Sequence, residues 1–93
     1  MRRIEYTTRF KKDYRREKSG QHARVLETKL KAIVDLLIQD ETLPRSNFDH
    51  ALTGNWADHR DCHIRPDLVL IYRKIDDDVL QLVRLGSHSE LGI

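Results

Sequence analysis

The sequence predicts an α+β fold in which an antiparallel helical hairpin packs on one face of a small, mainly antiparallel sheet. Apolar residues recur with a period of 3.6 between residues 23 and 39, which is typical of an amphipathic helix. Further along, residues 68–75 and 79–86 are two strongly apolar segments separated by three consecutive aspartates, which is typical of two strands joined by a turn. The chain has 93 residues, so we expect one domain spanning residues 1–93.

The N-terminal half contains one predicted strand and two predicted helices. Residues 3–7 alternate between polar and apolar side chains, as in a short strand. Thr7 and Thr8 are candidate N-caps of a first helix over about residues 9–18. A second helix over about residues 23–39 follows a short polar turn, so the two helices form an antiparallel hairpin. Its apolar stripe consists of Leu26, Leu30, Ile33, Val34, Leu37 and Ile38.

The C-terminal half contains three predicted strands after a long connection. Residues 40–58 have no strong period and include at most a short strand around Leu52. Strands are expected over 59–64, 68–75 and 79–86, which gives the element order β-α-α-β-β-β, with a short tail after the last strand. The middle one of these three is apolar on both faces, so we expect it at the centre of the sheet, covered on each side. Because the helices cover only one face of the sheet, the other face is expected to be an open concave surface suited to a binding site.

Composition and simple motifs exclude several classes of protein. No run of about 18 apolar residues is present, so no segment is expected to span a bilayer. The N-terminus lacks the apolar region of a secretory signal peptide. The single cysteine, Cys62, cannot form an internal disulfide and is expected to be a core residue, which indicates a reducing cytoplasm. No glycine-rich phosphate-binding motif is present, so we expect no nucleotide cofactor.

Charge is distributed unevenly along the chain, although the net charge is only +2. Residues 1–39 carry a local net charge of +6, whereas residues 40–93 carry −4. Such a basic cluster favours a polyanionic partner such as nucleic acid or an acidic protein, but a solvated helix face would have the same composition. The first predicted helix contributes Lys11, Lys12, Arg15 and Arg16 to this cluster.

Five histidines in a chain of this length are a strong chemical signal. His22 falls in the turn between the two predicted helices, where we expect it to be exposed and inert. The others lie in the C-terminal half: His50, His59, His63 and His88. On a strand, His59, Asp61 and His63 would share one face. We expect no metal site, because two residues four positions apart on a strand are separated by about 13 Å, too far to ligate one ion.

Two interpretations of the histidines remain. Each could be a structural residue that is hydrogen-bonded at the sheet edge. Alternatively, two of them could act as general base and general acid, because imidazole titrates near neutrality. Such a pair suits RNA cleavage: one imidazole takes the proton of the 2′-OH, the other protonates the departing 5′-oxygen, and a cation stabilises the phosphorane-like charge. Arg60, Arg65, Arg84 or the basic first helix could supply that cation.

Three segments of the C-terminal half carry a specific pattern. Residues 49–56 read Asp-His-Ala-Leu-Thr-Gly-Asn-Trp, residues 60–72 read Arg-Asp-Cys-His-Ile-Arg-Pro-Asp-Leu-Val-Leu-Ile-Tyr, and residues 84–88 read Arg-Leu-Gly-Ser-His. Together with the order of elements along the whole chain, this pattern resembles the YafQ branch of the RelE/ParE toxin superfamily. The resemblance implies a ribosome-dependent mRNA endoribonuclease that needs no metal or cofactor and is neutralised by a co-expressed antitoxin.

The resemblance also implies roles for individual residues. The implied catalytic set is His50, His63, Asp67 and His88. Arg60 and Arg84 match the family pattern as phosphate-binding or fold-supporting cations, and the basic residues of the first helix are expected to bind RNA phosphates. Family members usually carry an aromatic residue shortly after the last histidine, to contact the substrate base, whereas residues 89–93 contain none.

The expected partners follow from the same resemblance. We expect a hetero-oligomer with the cognate antitoxin, a monomer in its absence, contact with the ribosome and its mRNA, and no contact with a membrane. The alternative is a non-catalytic binding module of the same fold, comparable to gyrase-inhibiting relatives. Those relatives lack the histidine set present here, and this difference favours the nuclease.

Overall fold

The computed structural model describes residues 1–93 and contains one five-stranded sheet. Along the chain the strands are β1 (Arg3–Tyr6), β2 (His50–Ala51), β3 (Arg60–Arg65), β4 (Leu68–Ile75) and β5 (Val79–Gly86). Their spatial order is β1-β5-β4-β3-β2, with β1 parallel to β5 and every other neighbouring pair antiparallel. The mainly antiparallel α+β fold predicted from the sequence is therefore confirmed.

The predicted helical hairpin is present as α1 (Thr8–Lys18) and α2 (Ala23–Ile38). Thr7 caps α1: its hydroxyl accepts a hydrogen bond from the Phe10 N–H at 3.0 Å and donates one to the Val83 carbonyl at 2.7 Å. The same side chain therefore begins the helix and ties it to β5. Neither helix is long and apolar enough to cross a bilayer.

The main core lies between the hairpin and the sheet. The apolar stripe of α2 meets alternate residues of the three long strands, and the fully buried members from the sheet are Cys62, Leu68, Leu70, Tyr72, Leu80, Leu82 and Leu85. Burial raises the pKa of the Cys62 thiol far above its usual range, so this residue is a neutral core side chain, as expected.

A second, smaller core covers part of the opposite face of the sheet, so the expectation of a fully open concave surface is wrong. Val69 and Ile71 of β4 are completely buried there against Leu91, and Trp56 packs against them as the anchor of its loop. The physical reason is the composition of β4, whose apolar side chains alternate to both faces and need cover on both.

The C-terminal residues form a short helix rather than the expected tail. This helix, α3 (His88–Leu91), begins with a capping box in which the Ser87 hydroxyl accepts the Glu90 N–H at 3.1 Å. The Glu90 carboxylate accepts the Ser87 N–H at 2.9 Å in return. Gly92 ends the helix in the left-handed conformation, with φ of 71°.

Candidate active site

The four residues of the implied catalytic set come together beside the second core. His50 lies in β2, His63 in β3, Asp67 in the turn between β3 and β4, and His88 is the first residue of α3. Val69 of β4 pairs with His63 on one side and with the last residue of β5 on the other. His63 and His88 therefore belong to elements separated by one strand, and α3 folds back so that their rings meet.

His88 is held by Asp67 through two hydrogen bonds. The His88 Nδ1–H donates to Asp67 Oδ1 at 2.9 Å, and the His88 main-chain N–H donates to the same oxygen at 3.2 Å. These two bonds hold the pKa of the Asp67 carboxyl below its usual range. An ionised carboxylate can only accept hydrogen bonds, so the proton of a neutral His88 ring is fixed on Nδ1. The Nε2 atom of His88 is left free for a ligand.

The His63 ring lies between two other rings. Its centroid is 4.9 Å from that of His88, with the rings nearly perpendicular, and 5.3 Å from that of Phe48. The Asn47 side-chain amide donates to the His63 carbonyl at 2.7 Å and so fixes the preceding loop against β3. Neither ring nitrogen of His63 is hydrogen-bonded within the chain, so both are available to a substrate.

His50 is anchored in the same manner as His88, but by a carbonyl. Its Nδ1–H donates to the Phe48 carbonyl at 2.8 Å, and Nε2 is free. The same Nδ1 atom is 3.2 Å from Oδ1 of Asp61, the cross-strand neighbour of His50. One proton cannot serve both acceptors well, and Asp61 Oδ1 is left buried without a hydrogen bond.

Asp61 is the site residue that the sequence-derived catalytic set omits. It is only 2% exposed, and burial raises the pKa of its carboxyl, an effect that nearby His50, His63 and His88 partly oppose. Strand alternation in the sequence already placed Asp61 on one face with His63, but the family resemblance implied no catalytic role for it.

Two other histidines lie outside the implied catalytic set. β3 begins at Arg60, so His59 belongs to the preceding loop, where its Nδ1 bonds the Ala57 carbonyl at 3.0 Å and its ring meets Trp56 edge-on. The prediction that His59 shares a strand face with His63 is therefore wrong. His22 is half-buried rather than exposed, and its charge contributes to lowering the pKa of the Asp67 carboxyl. Across the chain, no group of three or more His, Cys, Asp or Glu side chains converges with metal-binding geometry.

Arg84 and Arg60 are engaged by carboxylates of the protein. Arg84 donates from Nε to Asp13 Oδ2 at 2.7 Å and from Nη2 to Asp13 Oδ1 at 3.3 Å. Arg60 donates from Nε to Asp49 Oδ1 at 3.2 Å, and the same oxygen accepts the Tyr72 hydroxyl at 2.6 Å. The resemblance implied that these arginines either bind phosphate or support the fold. Their ion pairs with carboxylates of the protein fit the second role.

Arg60 also points away from the histidines. It lies three positions before His63 on a regular stretch of β3, and residues an odd number apart on a strand occupy opposite faces. Its partner Tyr72 belongs to the main core on the hairpin side. Arg60 is therefore separated from the cluster by the sheet itself.

The guanidinium of Arg16 is also bound within the protein rather than free for RNA. It donates to Asp13 Oδ1 at 3.0 Å, to Glu17 Oε2 at 2.9 Å and to the Leu85 carbonyl at 2.7 Å, and it lies 3.2 Å from Glu90 Oε2. Arg16 thus links α1 to β5 and α3. By contrast, Lys11, Lys12 and Arg15 are exposed and have no ion-pair partner.

A glycine makes room for this linkage. A Cβ atom at Gly86 would lie 2.7 Å from Arg16 Nη2 and 3.1 Å from Glu90 Oε1, closer than such atoms normally approach. A larger residue at this position would therefore displace the Arg16 guanidinium and press on the Glu90 carboxylate of the capping box.

Comparison with known proteins identifies the family. A family model described as "Bacterial toxin of type II toxin-antitoxin system, YafQ" matches residues 2–92. This chain belongs to the YafQ toxin family. The match spans nearly the whole sequence and confirms the resemblance drawn from the three motif segments.

Individual relatives of the YafQ family agree in sequence and in structure. The chain is 40% identical over 89 residues to the mRNA interferase toxin YafQ of Escherichia coli strain K12, covering 95% of this chain and 92% of that protein. It superimposes on a copper-bound mutant toxin from Helicobacter pylori with a TM-score of 0.83, at 36% identity and covering 98% and 99% of the two chains. A chain of the E. coli DinJ-YafQ complex matches with a TM-score of 0.78, at 36% identity and covering 98% of each chain.

Proposed function

We propose that this YafQ-family toxin is a ribosome-dependent mRNA endoribonuclease of the cytoplasm that cleaves RNA by histidine acid–base chemistry without a metal ion. The observation that carries the proposal is the convergence of His50, His63 and His88, with the Nδ1 atoms of two of these rings anchored and their Nε2 atoms free. The name mRNA interferase, borne by a relative of 40% identity, supports the choice of substrate.

Proton transfer is assigned to His50 and His88. One neutral imidazole takes the proton of the 2′-OH, and the freed oxygen attacks the adjacent phosphorus. The P–O5′ bond then breaks, and the other imidazole, protonated, gives its proton to the departing 5′-oxygen. The products are a 2′,3′-cyclic phosphate and a 5′-OH. Anchoring Nδ1 suits both roles, because it leaves Nε2 as the single atom that exchanges a proton with the substrate.

His63 and Asp67 assist in different ways. Asp67 is a positioning residue, since its carboxylate accepts two hydrogen bonds from His88 and so fixes the orientation of the ring. His63 lies against the His88 ring, and both of its nitrogens are unengaged, so it is assigned to orient the scissile phosphate and stabilise its charge. This assignment replaces Arg60 and Arg84, whose guanidinium groups are held by Asp49 and Asp13.

The partners are a cognate antitoxin and the ribosome. The E. coli relative forms a complex with DinJ, which supports an antitoxin partner here. The exposed, unpaired cations Lys11, Lys12 and Arg15 on α1 provide a surface for rRNA or mRNA phosphates. A non-catalytic toxin would use such a surface for binding but would leave mRNA intact.

We expect cleavage of mRNA on programmed ribosomes to persist in EDTA, because proton transfer needs no bound metal and no set of donors converges on one. The measurement compares single-turnover cleavage with and without the chelator, at a free Mg²⁺ level that keeps ribosomes intact. A requirement for added Zn²⁺, Cu²⁺ or Mn²⁺ would contradict acid–base cleavage. Ribosome binding without any cleavage would favour the non-catalytic alternative.

Charge reversal of the exposed α1 cations is expected to lower the affinity for the ribosome. It should also make that affinity less dependent on salt concentration. The variant is Lys11→Glu, Lys12→Glu, Arg15→Glu; Arg16 is kept because its bonds stabilise the fold. Losing three phosphate contacts should reduce the slope of log affinity against log salt by about 2 to 3. Ribosome affinity measured across a salt series checks this expectation.

The matched control reverses exposed cations on the other helix, Arg24→Glu with Lys29→Glu, and should leave the slope unchanged. Both variants alter exposed side chains, so their unfolding free energies should change by no more than about 0.5 kcal/mol per site. A parental slope in the α1 variant would mean that this basic surface is only a solvated helix face.

A further inference from the structure

Phe48 is an exposed aromatic residue at the edge of the histidine cluster. It is 63% exposed, and it is one of the few large hydrophobic side chains on the surface of the protein. Its ring centroid lies 5.3 Å from that of His63. A large apolar ring in water contributes little to folding, so its position beside the cluster needs another explanation.

The backbone holds this ring outward at a conformational cost. Phe48 has φ of 47° and ψ of 45°, the left-handed region that bulky residues rarely adopt. Its N–H donates to the Arg45 carbonyl at 3.0 Å, and its carbonyl accepts the His50 Nδ1–H at 2.8 Å. The peptide that presents the ring is thus the same one that anchors a proton-transfer residue.

We infer that Phe48 is a stacking platform for a nucleobase next to the scissile phosphate. The inference rests on the proposed function and adds a substrate contact to it. The ring of Phe48 lies against His63, and Phe48 precedes His50 by two residues in the chain. An RNA phosphate held by the three histidines therefore brings a flanking base to this ring. Stacking on an aromatic face accepts any base, so the contact adds affinity and orientation more than sequence selection.

Three substitutions separate stacking from other roles of the residue. Phe48→Tyr keeps an aromatic ring and should cleave at close to the parental rate. Phe48→Leu keeps apolar bulk against His63, and Phe48→Asn suits the left-handed backbone. Both should lower single-turnover cleavage efficiency by about 5- to 150-fold, the range expected for one lost stacking contact. Equal activity of the Leu and parental proteins would overturn the inference.

An abasic substrate identifies the contact directly. Ribosomes are programmed with mRNA in which each codon position in turn lacks its base but keeps its 2′-OH. One abasic position should slow the parental protein and the Tyr variant by a similar factor, yet cause no further loss in the Leu and Asn variants. If, at every codon position, the loss caused by the missing base multiplied the loss caused by Phe48→Leu or Phe48→Asn, the inference would be overturned. The proposed function would remain intact. A parental protein that cleaves no mRNA would overturn both.

Discussion

Replacing His88 with alanine is expected to lower single-turnover mRNA cleavage on ribosomes by about 10²- to 10⁴-fold, the usual contribution of a positioned acid or base. His88 presents the free Nε2 atom of an anchored ring, and water cannot replace a proton-transfer group held at that point. The side chain is 41% exposed and lies outside both cores, so the circular dichroism spectrum and the urea midpoint should stay close to those of the parental protein.

His59→Ala is the matched control for this substitution. His59 is also a half-buried histidine, but it contacts Trp56 and the Ala57 carbonyl rather than the cluster. The His59→Ala variant should cleave mRNA at the parental rate. Parental cleavage by the His88 variant itself would remove this residue from the mechanism.

Replacing Asp13 with alanine is expected to destabilise the fold by about 3–5 kcal/mol, the usual result of breaking a buried ion pair from one side. Asp13 is 4% exposed and accepts hydrogen bonds from Arg84, from Arg16 and from the Leu85 N–H, at 2.7, 3.0 and 3.0 Å. Its removal leaves the 12%-exposed Arg84 side chain and a buried N–H without partners. Urea unfolding at neutral pH provides the measurement.

The surface pair formed by Lys31 and Asp35 supplies the control. Asp35 is 47% exposed and pairs with Lys31 one turn away on the same helix. Asp35→Ala should therefore change the unfolding free energy by less than about 0.5 kcal/mol. A similarly small change in the Asp13 variant would show that the fold does not depend on the buried network.

The Asp13 network also has a pH signature. Burial alone would raise the pKa of Asp13, but hydrogen bonds from Arg84 and the Leu85 N–H and the charges of Arg84 and Arg16 outweigh it, so the pKa is lowered. A lowered folded pKa gives stability that is present above the unfolded pKa and is lost as pH falls through the folded value. The parental protein should therefore lose more stability than the Asp13→Ala variant on acidification below about pH 4.

The same residues show which parts of the fold were predictable. The bounds of β4 and β5 follow from two apolar segments separated by aspartates, and those of α2, to within one residue, from apolar periodicity. Both signals depend only on local sequence. The burial of Asp13 does not, because its partner Arg84 is 71 residues further along the chain. A charged residue one turn from Phe10 looks solvent-exposed until the opposing strand is known.

The helix α3 and the site illustrate a different limit. With four residues, α3 is too short for periodicity to detect, although the Ser87 and Glu90 spacing is the signature of its cap. Only the family resemblance of the motif segments predicts that these histidines form one catalytic set. The exposed ring of Phe48 and the unsatisfied oxygen of Asp61 depend on packing between strands and loops, which no local pattern specifies.

The chemical nature of the cut ends tests acid–base cleavage most directly. mRNA cut on ribosomes by the purified toxin can be analysed by mass spectrometry and by labelling of its new termini. Attack by the 2′-OH, with proton transfer by His50 and His88, predicts a 2′,3′-cyclic phosphate on one fragment and a 5′-OH on the other. A 3′-OH with a 5′-phosphate would show that water attacked the phosphorus instead, and would contradict the mechanism.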